Sequence, residues 1–269
     1  MHNALIKHGL QPSSTDPCLY TTSCGADRLN CCVYVDDCLL TYTNSAGGRQ
    51  LHSQLIHMLQ ERFELQDDGL TDCTDFLGMH LEWSPDRSSV RVSTPAIIDT
   101  LLESEGMSGC RPALTPGIPH TLVSLRHCPA DGPDGDADRA LMRGKNYRSR
   151  VGALLWVARN GRPDISFQVN ALARVSHNPG IEHWHQTTYL LRYLKGTRDF
   201  ALEFKRDPKL PRSHFVPVGY SDADWAPNYG NTDDNYRSTT GWLFQIANNT
   251  VSWRSRKQTR SAQSSAESE

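Results

Sequence analysis

The chain has no long apolar run. The longest, residues 151–158, is far short of the roughly 20 residues a membrane-spanning helix needs, so no membrane partner is expected. Its first residues, Met1-His2-Asn3-Ala4-Leu5-Ile6-Lys7-His8, lack the apolar core of a secretory signal. No Cys-x-x-Cys pair occurs among the eight cysteines, and Cys31-Cys32 are adjacent inside an apolar stretch. These thiols read as reduced packing residues of an intracellular protein rather than a disulfide framework. Net charge is also low, −2 over 269 residues. That figure hides a split. Residues 1–140 carry 9 Lys/Arg against 19 Asp/Glu, and residues 141–269 carry 19 against 11. Such asymmetry fits either a polyanion-binding face on one half or a chance excess over a solvated surface.

The patterning that is present mixes strands and helices. Residues 29–43 read as two strands around Tyr34-Val35-Asp36-Asp37. Leu51, Leu55, Ile56, Leu59 and Phe63 then recur at helical spacing. Residues 76–83 and 89–93 read as paired strands across Ser84-Pro85-Asp86-Arg87. Thr94 is placed to cap a helix beginning at Pro95. Residues 111–139 hold five of the fifteen prolines among glycines and aspartates and read as a surface linker or long loop. Three helices are expected over 147–159, 164–176 and 181–194. Short strands follow over 201–205, 215–221, 241–246 and 250–254, the last two joined by a tight turn at Asn248-Asn249.

Two places concentrate carboxylates. Asp36 and Asp37 are pressed together in a turn between apolar strands. Their repulsion is relieved by water at an ordinary hairpin tip, or by Mg²⁺, which takes one or two carboxylates plus substrate phosphates. Asp222 and Asp224 follow an apolar run and so sit near a strand end, where solvated acids are also common. His177, His183 and His185 are close in sequence, but a His-x-His pair on a helix points to different faces, so surface or nucleic-acid contact fits better than zinc. Basic residues interleave with aromatics from Arg192 and Lys195 to Arg212, and again at Arg254, Arg256, Lys257 and Arg260. That mixture suits phosphate tracking and base stacking, or a plain solvated surface. The tryptophans, including Trp156, Trp225 and Trp242, read as core.

Tyr34-Val35-Asp36-Asp37 resembles the Tyr-x-Asp-Asp box of reverse transcriptases. The surroundings narrow this to the copia-type retrotransposon polyprotein. Asp16-Pro17-Cys18-Leu19-Tyr20, Phe76-Leu77-Gly78, Arg162-Pro163-Asp164-Ile165, His183-Trp184 and Leu191-Arg192-Tyr193-Leu194-Lys195-Gly196-Thr197 are similar to that family's segments, in order. So are Ser221-Asp222-Ala223-Asp224-Trp225-Ala226, Ser238-Thr239-Thr240-Gly241 and Ser252-Trp253-Arg254-Ser255-Arg256-Lys257-Gln258. The resemblance implies an α+β chain. It divides into the C-terminal part of a polymerase palm (1–110), a Pro/Asp-rich linker (111–140), helical thumb or connection (141–198) and a truncated ribonuclease H-like α/β domain (199–269).

By the same resemblance, Asp36, Asp37, Asp222 and Glu269 are the catalytic, Mg²⁺-binding carboxylates, with Glu267 the alternative to Glu269. Tyr34, Arg192, Lys195, Arg254, Arg256 and Lys257 are the nucleic-acid contacts. Implied partners are an RNA template, a DNA primer, their hybrid and other parts of the polyprotein, in a cytoplasmic particle or the nucleus. The implied chemistry is RNA-directed DNA synthesis with ribonuclease H. Only Asp16 and Asp27 precede the box as carboxylates, and neither matches the family's further palm aspartate. The expectation is therefore a fragment inactive alone. The alternatives are a non-catalytic nucleic-acid-binding remnant, or a decayed product that does not fold stably.

Overall fold

A computed structural model describes residues 1–63, 73–207, 209, 216–225 and 237–268. The chain divides into two compact units, Met1–Leu77 and Gly78–Glu269. Residue 110, where the resemblance implies the end of the palm, lies inside the second. Helices and strands are both well represented, so the chain is α+β.

The first unit runs α1 (His2–Lys7), β1 (Gln11–Pro12), β2 (Leu19–Cys24), β3 (Asp27–Tyr34), β4 (Asp37–Tyr42), α2 (Ala46–Arg62) and the two-residue β5 (Asp75–Phe76). β1 to β4 form an antiparallel sheet in sequence order. On β3, Leu29 and Cys31 are buried while Arg28 is exposed, the alternation of a half-covered strand. Val33, Cys38 and Leu40 join that face, and Leu55, Met58 and Leu59 of α2 cover it. Each fully buried leucine here contributes about 1.5–3 kcal/mol. Ser45 starts α2: its hydroxyl accepts the Gly48 N–H at 2.9 Å and donates to the Asp27 carboxylate. A Cβ on Gly47 would collide with that carboxylate, and one on Gly48 with the Thr43 carbonyl oxygen. Glycine at both positions lets the helix start close against the sheet.

The second unit begins with β6 (Met79–Trp83), β7 (Ser89–Ser93) and α3 (Pro95–Ser104). After irregular chain come α4 (Asp136–Leu141), α5 (Tyr147–Asn160), α6 (Ser166–Arg174) and α7 (Ile181–Gly196). Then follow β8 (Leu202–Lys205), β9 (Pro217–Ala223), β10 (Thr239–Ile246), β11 (Asn249–Lys257) and a last turn, α8 (Ser265–Ser268). Ile98, Leu154, Val157, Ile165, Leu172, Leu190 and Leu194 are among the residues that close the helical core. β9, β10 and β11 form their own antiparallel sheet. The Trp253 Nε1–H donates to the Ala158 carbonyl at 2.8 Å and ties β11 to α5.

Several expectations change. Leu77 and Gly78 both have positive φ, 52° and 78°, so the chain turns there and the strand starts at Met79, not Phe76. Residues 201–205 do not join the later strands: β8 pairs with β7, Val92 opposite Leu202. The hairpin turn lies at Ala247-Asn248, because Ile246 pairs with Asn249 and both turn residues have positive φ. Thr94 stands before α3, but its buried hydroxyl has no hydrogen-bond partner among the described residues. Residues 111–139 are largely irregular, as a long loop is, and Ala113 and Val123 are buried in the helical core. The strand expected from Phe215 starts at Pro217; residue 215 lies outside the described residues.

Arg162 locks this core. It is 1% exposed. Its Nε and one Nη donate to the Asp164 carboxylate at 2.9 and 2.7 Å. The guanidinium also donates to the Thr197 carbonyl at 2.8 Å and hydroxyl at 2.6 Å. The Tyr193 hydroxyl donates to Asp164 at 2.8 Å. The chain after α5 is thereby tied to the end of α7. Burial pushes the Asp164 carboxyl up, but the Arg162 and Tyr193 interactions outweigh it and hold the group below the ordinary carboxylate value. Arg162→Ala leaves a partly buried carboxylate without its partner and should cost about 3 kcal/mol in urea unfolding. A depressed carboxyl contributes its full stability above the unfolded pKa of about 3.9 and loses it as pH falls through the folded value. Thermal melting should therefore decline below about pH 4, and Asp164→Asn should flatten that decline.

Candidate active site and nucleic-acid surface

The turn between β3 and β4 has two loop residues, Val35 and Asp36, because Tyr34 pairs with Asp37. Side chains alternate across a strand, and Val33 and Cys38 face α2. Tyr34 and Asp37 therefore share the opposite, uncovered face with Cys32 and Leu39. On that face Asn30 donates to the Thr41 hydroxyl at 3.1 Å. Tyr34, Asp36 and Asp37 are all exposed. Val35 has φ 53° and is 77% exposed. A β-branched residue is strained in that left-handed region, and here no buried contact compensates.

Beneath the turn the Cys31 and Cys38 thiols interact. That interaction, then burial, pushes the Cys31 thiol far above its ordinary value, while the same interaction lowers Cys38. Cys31 is held protonated as a packing group. No disulfide is present among the described residues.

Asp36 and Asp37 offer hard oxygen donors at a site open to a phosphate-bearing ligand. That donor set fits one Mg²⁺ shared with substrate phosphates. Among the described residues no group of three His, Cys, Asp or Glu is placed to hold a metal. A two-ion clamp thus needs donors beyond this pair.

Asp222 lies exposed near the end of β9, opposite Gly241 of β10. Asp224 accepts the Thr239 N–H. Glu269 lies outside the described residues. Glu267 accepts the Gln263 N–H at 2.6 Å. The last turn is held, since Gln258 donates to the Ser268 carbonyl at 2.6 Å and to the Thr240 hydroxyl at 2.9 Å. Thr240 pairs with Ala223, so that turn stands at the Asp222 end of the sheet.

The expected basic contacts separate into two kinds. Arg192 donates to the Arg111 carbonyl at 2.7 Å and Lys195 to the Ser108 carbonyl, so both brace the loop after α3. Arg254 and Arg256 are exposed on β11, and Lys257 is half-buried. His183 is no surface residue. It is fully buried, its Nδ1 accepts the Gly180 N–H at 3.0 Å, and its Nε2 donates to the Ser124 carbonyl at 2.8 Å. Burial keeps it neutral. Trp225, expected in the core, is 57% exposed.

The profile of the reverse transcriptase (RNA-dependent DNA polymerase) family matches residues 1–119, which include the hairpin. A retrovirus-related Pol polyprotein from transposon TNT 1-94 of Nicotiana tabacum is 31% identical over 95% of this chain and 18% of its own length. That from transposon RE1 of Arabidopsis thaliana is 32% identical over the whole chain and 16% of its own length. The chain belongs to the retrotransposon Pol polyprotein family. It spans under a fifth of those relatives. An uncharacterized mitochondrial protein of Arabidopsis thaliana is 32% identical over 88% of this chain and 87% of its own length. No solved structure matches. Among the described residues, no helix is long and apolar enough to cross a membrane.

Nothing within Arg162-Pro163-Asp164-Ile165 marks the arginine as a core residue. Two charges flanking a proline carry no signal of burial; only the fold reveals it. Because Val35 is strained and solvent-facing, Val35→Asn should raise the stability of the hairpin unit by about 1 kcal/mol, read as a higher urea midpoint. An unchanged or lower midpoint would show that the strain is absent.

Proposed function

We propose that this chain is part of an RNA-directed DNA polymerase, with residues 34–37 at its catalytic centre. The observation that carries the reading is the two-faced sheet. One face is filled by α2, and the other presents Tyr34 and Asp37 to whatever lies across it. In this reading residues 1–110 belong to the palm, 141–198 to the thumb or connection and 199–269 to a ribonuclease H-like part. The nucleic acid is an RNA template with a DNA primer.

Asp36 and Asp37 would hold Mg²⁺, which lowers the pKa of the attacking 3′-hydroxyl and neutralises phosphate charge. Tyr34 offers an exposed ring against which a primer base can stack. The rigid two-residue turn fixes both carboxylates on one short segment, so no loop closure is needed to bring them together. A further carboxylate comes from elsewhere in the polyprotein. Asp222, with Glu267 or Glu269, is the corresponding start of a ribonuclease H centre. The alternative reading, a non-catalytic nucleic-acid binder, draws on the exposed Arg254 and Arg256 and makes binding independent of Asp36.

Primer extension with Mg²⁺ tests the first reading. The chain alone should extend no primer. A longer polyprotein containing it should extend one, and Asp36→Asn or Asp37→Asn should lower the rate about a thousandfold, the equivalent of several kcal/mol of lost charge stabilisation. Extension by the longer protein that survives both substitutions would overturn the assignment. Extension by the chain alone would overturn the need for a further carboxylate.

A further inference from the structure

A basic groove lies in the second unit, away from both carboxylate pairs in sequence. It has a volume of about 540 Å³ and is formed by the chain from Arg139 into α5 and by the loop at Ser176 to Pro179. No carboxylate lines it. Arg139, at one end, is already neutralised: it donates to Asp136 at 2.9 Å and to the Ala130 carbonyl at 2.6 Å. Arg143, Lys145 and Arg148 are different. None has a carboxylate partner among the described residues. Arg148 donates its Nε to the Ser176 carbonyl at 2.9 Å, which aims the guanidinium across the groove with both terminal nitrogens left over. The Lys145 ammonium lies 5.3 Å from the Trp184 ring centroid, which fixes its stem without cancelling its charge.

The groove also receives the N-terminus of α5, a 14-residue helix whose N-cap Asn146 makes no side-chain cap. The positive end of the helix dipole and its first N–H groups therefore add to the three cations. The aromatic lining residue Tyr147 is buried, and its hydroxyl donates to the Leu172 carbonyl at 3.0 Å. The other aromatic ring in the lining is the exposed His177 imidazole.

From this arrangement we infer that the groove binds the phosphodiester backbone of a nucleic-acid strand, with its cations on the phosphates and without reading sequence. This rests on the reading that the chain handles nucleic acid, but not on the carboxylate turn. Three phosphate contacts predict a salt slope larger by about 2.7 than without them.

The test uses the full chain and a fluorescent RNA–DNA hybrid, titrated at 50 and 200 mM salt. Arg143→Gln/Lys145→Gln/Arg148→Gln should shrink the affinity ratio between those salts by about 40-fold. Two hybrids of unrelated sequence should lose equally. Arg143→Gln alone, the milder variant, should lower the slope by about 0.9. Arg159→Gln, at the other end of α5, should change it little. Wild-type binding that is salt-dependent but unchanged in both groove variants overturns the groove and spares the wider reading. No hybrid binding by the wild type overturns both. Loss for one hybrid sequence only, an equal effect from Arg159→Gln, or a phosphoserine peptide that displaces the hybrid also overturns the proposal.

Discussion

The second unit depends on two buried arginines. Moving a charge out of water costs several kcal/mol, and the cost is recovered only when the charge is paired and hydrogen-bonded in good geometry. Arg162 meets that condition with Asp164 and Thr197. Arg150 meets it with Glu105, Thr187 and Thr188, and its guanidinium lies 3.3 Å from the Trp184 ring centroid. A planar fork of five donors can span three chain segments at once; a lysine could not. One arginine fixes the end of α7 and the other its middle, both against α5 or the chain that follows it. The apolar core supplies most of the stabilisation, but the hydrophobic effect is non-directional. These charged networks admit only one register between α5 and α7.

The first unit meets the opposite constraint. Its turn must hold two carboxylates side by side in water, and nothing buried steadies them. Rigidity comes instead from below, from the close approach of α2 at Gly47 and Gly48 and from the apolar face that runs up to Val33 and Cys38. The strained Val35 is a local cost carried at the tip. Strain of this kind gathers where geometry is fixed for a task rather than for stability.

Much of this was legible in the sequence because periodicity is a local property. α2, α3, α5 and α7 fall where apolar residues recur at helical spacing, and the turn at residues 34–37 is marked by its own residues. What was missed depends on distant chain. β2, Leu-Tyr-Thr-Thr-Ser-Cys, has too few apolar residues to announce itself before β3 is beside it. β8 looks like the first of the later strands until its register with β7 is known. Arg192 and Lys195 look like free basic residues until the loop at Ser108 to Arg111 folds under them. His183 sits in a polar, His-rich stretch, and only the approach of Ser124 makes it a core residue. In each case the deciding contact is long-range, and no window along the chain contains both partners.

The charge split between the halves looks different once pairing is counted. Arg150, Arg162 and Arg198 belong to the basic half, and each is engaged by Glu105, Asp164 or Asp99. Two of those carboxylates come from the acidic half, so part of the asymmetry is one side of ion pairs inside a single unit. Such residues add nothing to a field that a polyanion would feel, because their partners travel with them. The cations that remain include two local groups: Arg143, Lys145 and Arg148 around one groove, and Arg254 and Arg256 on one strand. A surplus counted over half a chain overstates the binding surface and hides its position. The charges that matter for binding are the ones the fold leaves without a carboxylate.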